Sequence, residues 1–205
     1  MPRIPSKELF LAGISAYEDH EGRGTVYFDA LKGVQSSWGD PKRMAGAVWV
    51  LLNSWHRDFY RFGAPNLNAI AACIQNNLTA LEQGRPRTIE SFSRADELTV
   101  KNLFREFLNG THRENTRGNQ SSPVAVAKTL NLMNPSFLPL WDNPIAGRFG
   151  YPVMSGVDYV SFCWDMVDHA AVLASYLPVP DDRSVLKRID EFNYSAYTKG
   201  WVAWR

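Results

Sequence analysis

Apolar side chains recur every three or four positions along most of this chain, and this spacing predicts a series of α-helices. In the segment 41–62 the apolar residues form two neighbouring stripes, with Asp40 suited to the cap and Pro41 to the first turn. Two stripes leave little polar surface, so we expect this helix to be central. A second clear pattern covers 67–81 and is stopped by Gly84.

The rest of the chain follows the same rules. Further helices are predicted over 98–108, 124–133, 143–149, 155–173 and about 182–197, with one or two shorter ones between 9 and 34. Ser122 can cap the helix that Pro123 begins, Asp142 can cap the helix 143–149, and Gly150 closes that turn. No strand pair, internal repeat or interdomain linker is visible. The sequence therefore predicts an all-α fold: one compact multi-helix domain over 1–205, with two helical layers or lobes and a cleft between them.

Composition supports one soluble domain. The chain has 205 residues, of which 45% are hydrophobic, and this is enough for a substantial core. The apolar run 9–14 is short and is followed by acidic residues, which suits neither a signal peptide nor a membrane span. We therefore expect a cytoplasmic protein without a membrane partner.

The residue types that hold metals and nucleotides are not suitably spaced. Cys73 and Cys163 lie far apart in apolar stretches and predict buried thiols rather than a disulfide or a metal site. The histidines form no metal spacing with each other or with cysteine, and no glycine loop could hold a phosphate. We expect no metal and no nucleotide cofactor.

Charge gives a mixed indication about nucleic acid. The formal net charge is only +1, although a local basic surface can be hidden in such a sum. The polar stretch 110–122 contains His112, Arg113 and Arg117, opposed only by Glu114. These residues form either a solvated loop or a DNA contact.

The segment 121–150 combines a helix, a proline-shaped apolar turn, an aspartate and a second helix. Here the chain resembles the helix-hairpin-helix DNA glycosylase superfamily, in which a hairpin of the form proline-glycine-valine-glycine-x-lysine-threonine precedes an essential aspartate. The residues in matching order are Pro123, Val126, Lys128, Thr129 and Asp142. Val124 and Val126 stand where the family has glycines that let backbone amides approach a phosphate. The interval from Lys128 to Asp142 is also shorter than in the family.

The stretch 127–142 has two further likenesses. It resembles an uncharacterised group of small proteins with the pattern lysine, leucine, asparagine-proline, phenylalanine, proline, tryptophan-aspartate. It is also similar to small anti-phage glycosylases that remove glucosylated hydroxymethylcytosine from viral DNA. These resemblances imply base excision from a modified-base DNA duplex, by hydrolysis of the N-glycosidic bond of a modified or damaged base to leave an abasic site.

The glycosylase resemblance gives roles to two residues. The carboxylate of Asp142 would stabilise the positive charge that develops on the sugar and orient or deprotonate a water molecule. The alternative is that Asp142 only caps its helix. The amine of Lys128 could attack C1′ and support strand cleavage, contact phosphate as a cation, or lie on a solvated helix face.

A base taken out of a duplex must be held between flat side chains and hydrogen-bonding groups. The flat candidates are Trp38, Trp55, Tyr60 and Trp141, and the polar candidates are Asn53, His56 and Asn143. Core packing is the alternative for each of them. Asn53 and His56 are the more informative, because polar side chains on an apolar helix need buried partners or a cavity.

Two other functional classes stay open. Valines in place of hairpin glycines and a near-neutral charge favour a non-catalytic nucleic-acid-binding or protein-binding helical module. A glycosidase acting on free nucleosides or modified RNA would need no grip on a duplex. The sequence does not show which base is excised, whether strand cleavage follows, whether the role is defence or repair, or the oligomeric state.

Overall fold

Helices account for the regular structure of this protein. The computed structural model describes residues 2–113, 120–178 and 182–204. Its α-helices are α1 (Lys7–His20), α2 (Gly24–Ser36), α3 (Pro41–Trp55), α4 (Arg57–Tyr60), α5 (Leu67–Gly84), α6 (Arg94–Gly110), α7 (Pro123–Met133), α8 (Asn143–Arg148), α9 (Gly156–Leu173) and α10 (Val185–Asn193). A π-helix, Tyr194–Lys199, continues α10, and short 3-10 turns lie at Ile89–Ser91 and Ala174–Tyr176. The described residues contain no strand, only isolated bridges at Arg113, which confirms the all-α prediction.

The helices pack as a continuous series of neighbours. Helix α2 lies against α3, α3 against α5, α5 against α6 and α6 against α9. Helix α10 contacts both α9 and α1, so the two ends of the described chain meet. This arrangement brings the first and last helices to the same side of the protein.

Helix α7 is the most enclosed element. It contacts α2, α3 and α6, and every one of its residues is buried except Pro123 and Lys128, which are half-buried. Ser122 caps it and Pro123 occupies its first turn, as the sequence predicts. Because its neighbours surround α7, a polar side chain on it must find a partner inside the protein.

The predicted helix over 41–62 is wrong in its length, while its central place agrees with the contacts of α3 to α2, α5 and α7. Helix α3 ends at Trp55, and the separate short helix α4 follows. His56 interrupts the winding with φ −130° and ψ 35°, while its side chain pairs with the hydroxyl of Ser122. Trp49 is 37% exposed, so the second apolar stripe is not buried throughout, and α3 is less enclosed than α7.

Several caps lie where the sequence predicts them. Asp40 and Asp142 accept hydrogen bonds from the first turns of α3 and α8. Ser155 and Asp158, three positions apart as in a capping box, form that reciprocal arrangement at the start of α9. Gly150 follows α8 with φ +89°, a backbone conformation that glycine adopts without strain.

The two cysteines are free and buried, as expected from their apolar surroundings. No helix in the described part of the chain combines the length and apolar character that a bilayer crossing needs.

Asn131 joins α7 to two other parts of the fold. Its Oδ1 accepts a hydrogen bond from the hydroxyl of Tyr27 at 2.8 Å, and its Nδ2 donates to the carbonyl of Leu138 at 2.8 Å. The Asn131→Ala variant leaves both groups buried without a partner. We expect the free energy of unfolding in urea to fall by roughly 2 to 4 kcal/mol.

The matched control is Asn77→Ala. Asn77 is half-buried and donates to Cys73 in its own helix, to the carbonyl at 2.9 Å and more distantly to the sulfur at 3.9 Å. Its removal should lower the free energy of unfolding by less than about 1 kcal/mol. Equal losses in the two variants would contradict the role given to Asn131.

Candidate functional site

A recess lies between several elements that are distant in the sequence. One side is formed by α1, by the turn between α1 and α2, by the end of α3 and by the middle of α7. The other side is formed by the start of α8, by α10 and by the π-helix. The recess encloses about 420 Å³, counting the part open to solvent. Its lining consists of Tyr17, Glu21, Arg23, Trp55, Lys128, Leu140, Trp141, Asp142, Asp190 and Tyr194.

Lys128 brings an amine from the enclosed helix into this recess. Its Nζ donates a hydrogen bond to the backbone carbonyl of Trp55 at 2.6 Å. Burial lowers the pKa of Lys128 to about 8, and the nearby charges of Asp142 and Asp190 oppose this shift only in part. A fraction of the amine is therefore neutral near pH 7.

Asp142 combines a helix cap with a place in the recess wall. Its Oδ1 accepts from the backbone amide of Ile145 at 3.0 Å, and its Oδ2 accepts from the hydroxyl of Thr198 at 2.7 Å. Burial raises the pKa of Asp142 above its usual value, while these two hydrogen bonds favour the charged form. The carboxylate is thus held in one orientation by two donors.

The π-helix supplies the second of those donors. Tyr194 at its start lines the recess, and Thr198 near its end reaches Asp142. π-Helical turns are rare and are frequently found at functional sites. This one ends at Gly200, whose φ is +66°.

Aromatic rings form much of the wall. The indole nitrogen of Trp55 donates to the carbonyl of Arg23 at 3.0 Å, and its ring stacks on Tyr27 with centroids 5.4 Å apart. Trp141 is buried and donates through its indole nitrogen to the carbonyl of Pro123. Both indoles are therefore fixed by a hydrogen bond as well as by packing.

The entrance carries an ion pair. The guanidinium of Arg23 binds both carboxylate oxygens of Glu21, at 2.8 and 3.0 Å. Tyr194 also donates to Glu21, and the hydrogen bonds from Arg23 lower the pKa of that carboxyl to about 2. Arg23 stays half exposed, so part of its charge faces solvent at the entrance.

Behind the recess lies a buried charge cluster. The ammonium of Lys187 is 2.8 Å from Oδ2 of Asp190 and 3.7 Å from Oε1 of Glu191. Burial is the largest single effect and opposes its charge, but Asp190, Glu191 and the two nearby tyrosines together outweigh it, so the pKa of Lys187 is raised. The rings of Tyr17, Tyr27 and Trp55 surround the ammonium at 4.6 to 5.1 Å.

The recess brings together four of the residues named from the sequence. They are Trp55, Lys128, Trp141 and Asp142. Asn53, His56 and Asn143 are not part of its lining. The amide of Asn53 donates to the carbonyl of Trp49 in its own helix, and His56 Nε2 pairs with Ser122 Oγ at 2.7 Å. Asn143 is exposed at the start of α8.

The other two aromatic candidates also lie outside the recess lining. Tyr60 is buried and donates to the carbonyl of Thr111 at 2.6 Å. The ring of Trp38 lies under the guanidinium of Arg85. The contacts of both residues lie within the fold and away from the recess.

The predicted DNA-contact loop is only partly described. Arg113 donates to the carbonyl of Phe59 and to the side chain of Gln120, and its guanidinium lies over the ring of Phe59. His112 pairs with the carbonyl of Asn109. Arg117 lies outside the described residues. Arg113 therefore has a packing role at this place.

Several lining residues were not identified from the sequence. They are Tyr17, Glu21, Arg23, Leu140, Asp190 and Tyr194, to which Thr198 adds support for Asp142. One signal was available on α10, where Lys187 and Asp190 share a face with the buried Leu186 and Ile189. Charged residues on an apolar helix face require partners inside the protein.

The chain was also compared with protein-family models, curated proteins and solved structures, and no match was found. Within 2–113, 120–178 and 182–204, no three histidine, cysteine, aspartate or glutamate side chains group in a way that could hold a metal ion. Function therefore has to be inferred from the residues of the recess.

The environment of Lys128 predicts a dependence of stability on pH. Its pKa is about 8 in the folded protein and 10.5 in an unperturbed lysine. Between these values the unfolded chain binds the proton more strongly, so stability rises as pH rises. Relative to Lys128→Met, the free energy of unfolding of the unmodified protein should increase by roughly 2 kcal/mol between about pH 7 and about pH 10.

The exposed Lys32 on α2 provides the control. Denaturant titrations of Lys32→Met at the same pH values measure the effect of removing one surface amine. The burial of the Lys128 amine would be contradicted if the unmodified protein and Lys128→Met differed in free energy of unfolding by the same amount at every pH.

Proposed function

We propose that this protein is a DNA N-glycosylase that hydrolyses the bond between a modified or damaged base and its sugar, leaving an abasic site. The observation that carries this proposal is the convergence of the Asp142 carboxylate and the Lys128 amine on one recess with aromatic walls. The resemblance of 121–150 to the helix-hairpin-helix glycosylases supports the same assignment.

The fixed carboxylate of Asp142 suits cleavage of the bond between the sugar carbon C1′ and the base nitrogen. Breaking the C1′–N bond spreads positive charge over the sugar, and a fixed carboxylate stabilises that charge without reorganising. Asp142 is fixed in this way by Ile145 and Thr198. The same carboxylate can orient a water molecule and accept its proton as the water attacks C1′.

The aromatic residues that line the recess suit the binding of a base extruded from the DNA duplex. An extruded base is held by flat side chains and by hydrogen bonds to its edges. Trp55 and Trp141 provide rigid indoles, and Tyr17 and Tyr194 add aromatic surface. This lining gives the recess the chemical character that base recognition needs.

A basic and aromatic surface next to the recess supports DNA as the partner. Arg57 and Arg61 are exposed on and beside α4, and Arg61 lies over the ring of Phe62, which is 58% exposed. Trp55 lines the recess and lies two residues before Arg57, so this surface begins next to the recess wall. Arginines and exposed rings of this kind contact phosphates and unstacked bases.

The test is abasic-site formation in duplexes carrying a panel of modified bases. In Asp142→Asn the amide oxygen can still cap α8 and the amide nitrogen can donate to the hydroxyl of Thr198, so only the charge is lost. We expect the rate of base release to fall roughly 100-fold or more. The matched control is Asp40→Asn, because Asp40 caps α3 outside the recess.

The two variants separate a catalytic role from capping. Asp40→Asn should keep the rate of the unmodified protein, and both variants should show helical circular dichroism. Undiminished base release by a folded Asp142→Asn protein would remove the mechanism proposed for Asp142.

The location of Lys128 favours a second activity at the same site. A neutral amine can attack C1′ as the base departs and form an imine with the opened sugar, which precedes strand cleavage. The pKa of about 8 makes part of the Lys128 population neutral under physiological conditions.

Borohydride trapping tests this step directly. Incubation with abasic DNA and borohydride should give a covalent protein–DNA adduct in the unmodified protein. Lys128→Met should lose the adduct while it retains binding to the same DNA, and Lys32→Met should form the adduct normally. An equal yield of adduct from Lys128→Met would assign the reaction to another amine.

A further inference from the structure

Asp190 presents a carboxylate to the recess from the side of α10. It is only 9% exposed, and it belongs to the lining. Its Oδ2 accepts a hydrogen bond from the ammonium of Lys187 at 2.8 Å. Asp190 is therefore a largely buried carboxylate in the wall of the recess.

The three acidic residues of the recess differ in how their oxygens are used. Both oxygens of Asp142 accept hydrogen bonds, from Ile145 and from Thr198. Both oxygens of Glu21 are likewise bound by Arg23. Within the described part of the chain, Oδ1 of Asp190 has no hydrogen-bond partner. This oxygen is not one of the fully buried atoms that lack a partner, so it is accessible, and a ligand or water in the recess can donate to it.

Lys187 holds this acceptor in place. The ammonium is fully buried, is surrounded by aromatic rings and is also attracted by Glu191. Because Lys187 cannot move freely, the carboxylate that binds it has a fixed direction. A fixed acceptor discriminates between ligands better than a mobile one, because it cannot turn away from a group that repels it.

A flat ligand in the recess would bring its edge close to this acceptor. The ring of Trp55 lines the same space, and the ammonium of Lys187 is 5.0 Å from that ring. The same ammonium is 2.8 Å from Asp190. Trp55 and Asp190 are therefore neighbours, one offering a flat surface and the other a hydrogen-bond acceptor.

We propose that Asp190 is a specificity-determining residue that accepts a hydrogen bond from the exocyclic amino group of the base. The recess would then favour cytosine-type and adenine-type bases over bases with a carbonyl oxygen at the same position. This inference rests on the proposed glycosylase function, since it assigns the class of base that the same site takes. An amino group donates to the free Oδ1, whereas a carbonyl oxygen is repelled by it.

The experiment measures binding of free bases, with no turnover required. Ligand-observed NMR titrations compare cytosine with uracil and adenine with hypoxanthine, since each pair differs in an amino group against a carbonyl. We expect the unmodified protein to bind the amino-bearing member roughly 10- to 100-fold more tightly, the effect of one hydrogen bond to a charged group.

Asp190→Asn is the decisive variant. Its amide oxygen can keep the hydrogen bond to Lys187, and its amide nitrogen then faces the recess as a donor. The preference should disappear or reverse in favour of uracil and hypoxanthine. Asp165→Asn is the matched control, because Asp165 is a buried carboxylate on α9 that pairs with Tyr151 outside the recess.

Three results would overturn the proposal: equal binding within each pair, no binding of any of the four bases, or an unchanged preference in Asp190→Asn. Failure here is distinguishable from failure of the glycosylase function. Base release that depends on Asp142 can persist while the preference for amino-bearing bases is absent. The binding preference can equally be present in a protein that releases no base.

Discussion

A single buried ammonium, that of Lys187, organises the side of the protein where the recess lies. Its charge is tolerated because Asp190 and Glu191 approach it and three aromatic rings surround it. Glu191 in turn pairs with Arg183 and Arg188. Removing one member of a buried ionic network leaves the others uncompensated, so the positions of all of them are coupled. Tyr17, Trp55 and Asp190 reach the recess as parts of this network.

The recess itself shows how one residue can serve structure and chemistry together. The backbone amide that Asp142 caps is also a donor that favours its charged form. Burial disfavours the charged form of both Asp142 and Lys128, raising the pKa of the first and lowering that of the second. They differ in their hydrogen bonds, because Asp142 accepts from a backbone amide and from Thr198, whereas Lys128 donates to the carbonyl of Trp55.

Local signals in the sequence predicted much of the fold. The caps Ser122, Asp142 and Ser155 act through the residues that follow them directly, so their patterns are visible in the chain. The break at His56 depends on Ser122, 66 positions away, and no local pattern shows it. The residues of the site likewise differ in whether a local sequence pattern can show them. Lys128 and Asp142 belong to one segment, whereas Asp190 comes from a helix that only tertiary packing brings beside them. Polar residues such as Asn53 were expected in the cavity because a partner within their own helix was not foreseen.

The π-helical winding of Tyr194–Lys199 makes the length of that segment matter. Each of its backbone bonds spans five residues instead of four, so the segment holds an extra residue compared with an α-helix on the same path. Deleting one residue would allow ordinary α-helical winding, which is more favourable locally, and would rotate the threonine hydroxyl away from Asp142. The orientation of the Asp142 carboxylate therefore depends on the number of residues in this segment as well as on the presence of a hydroxyl at Thr198.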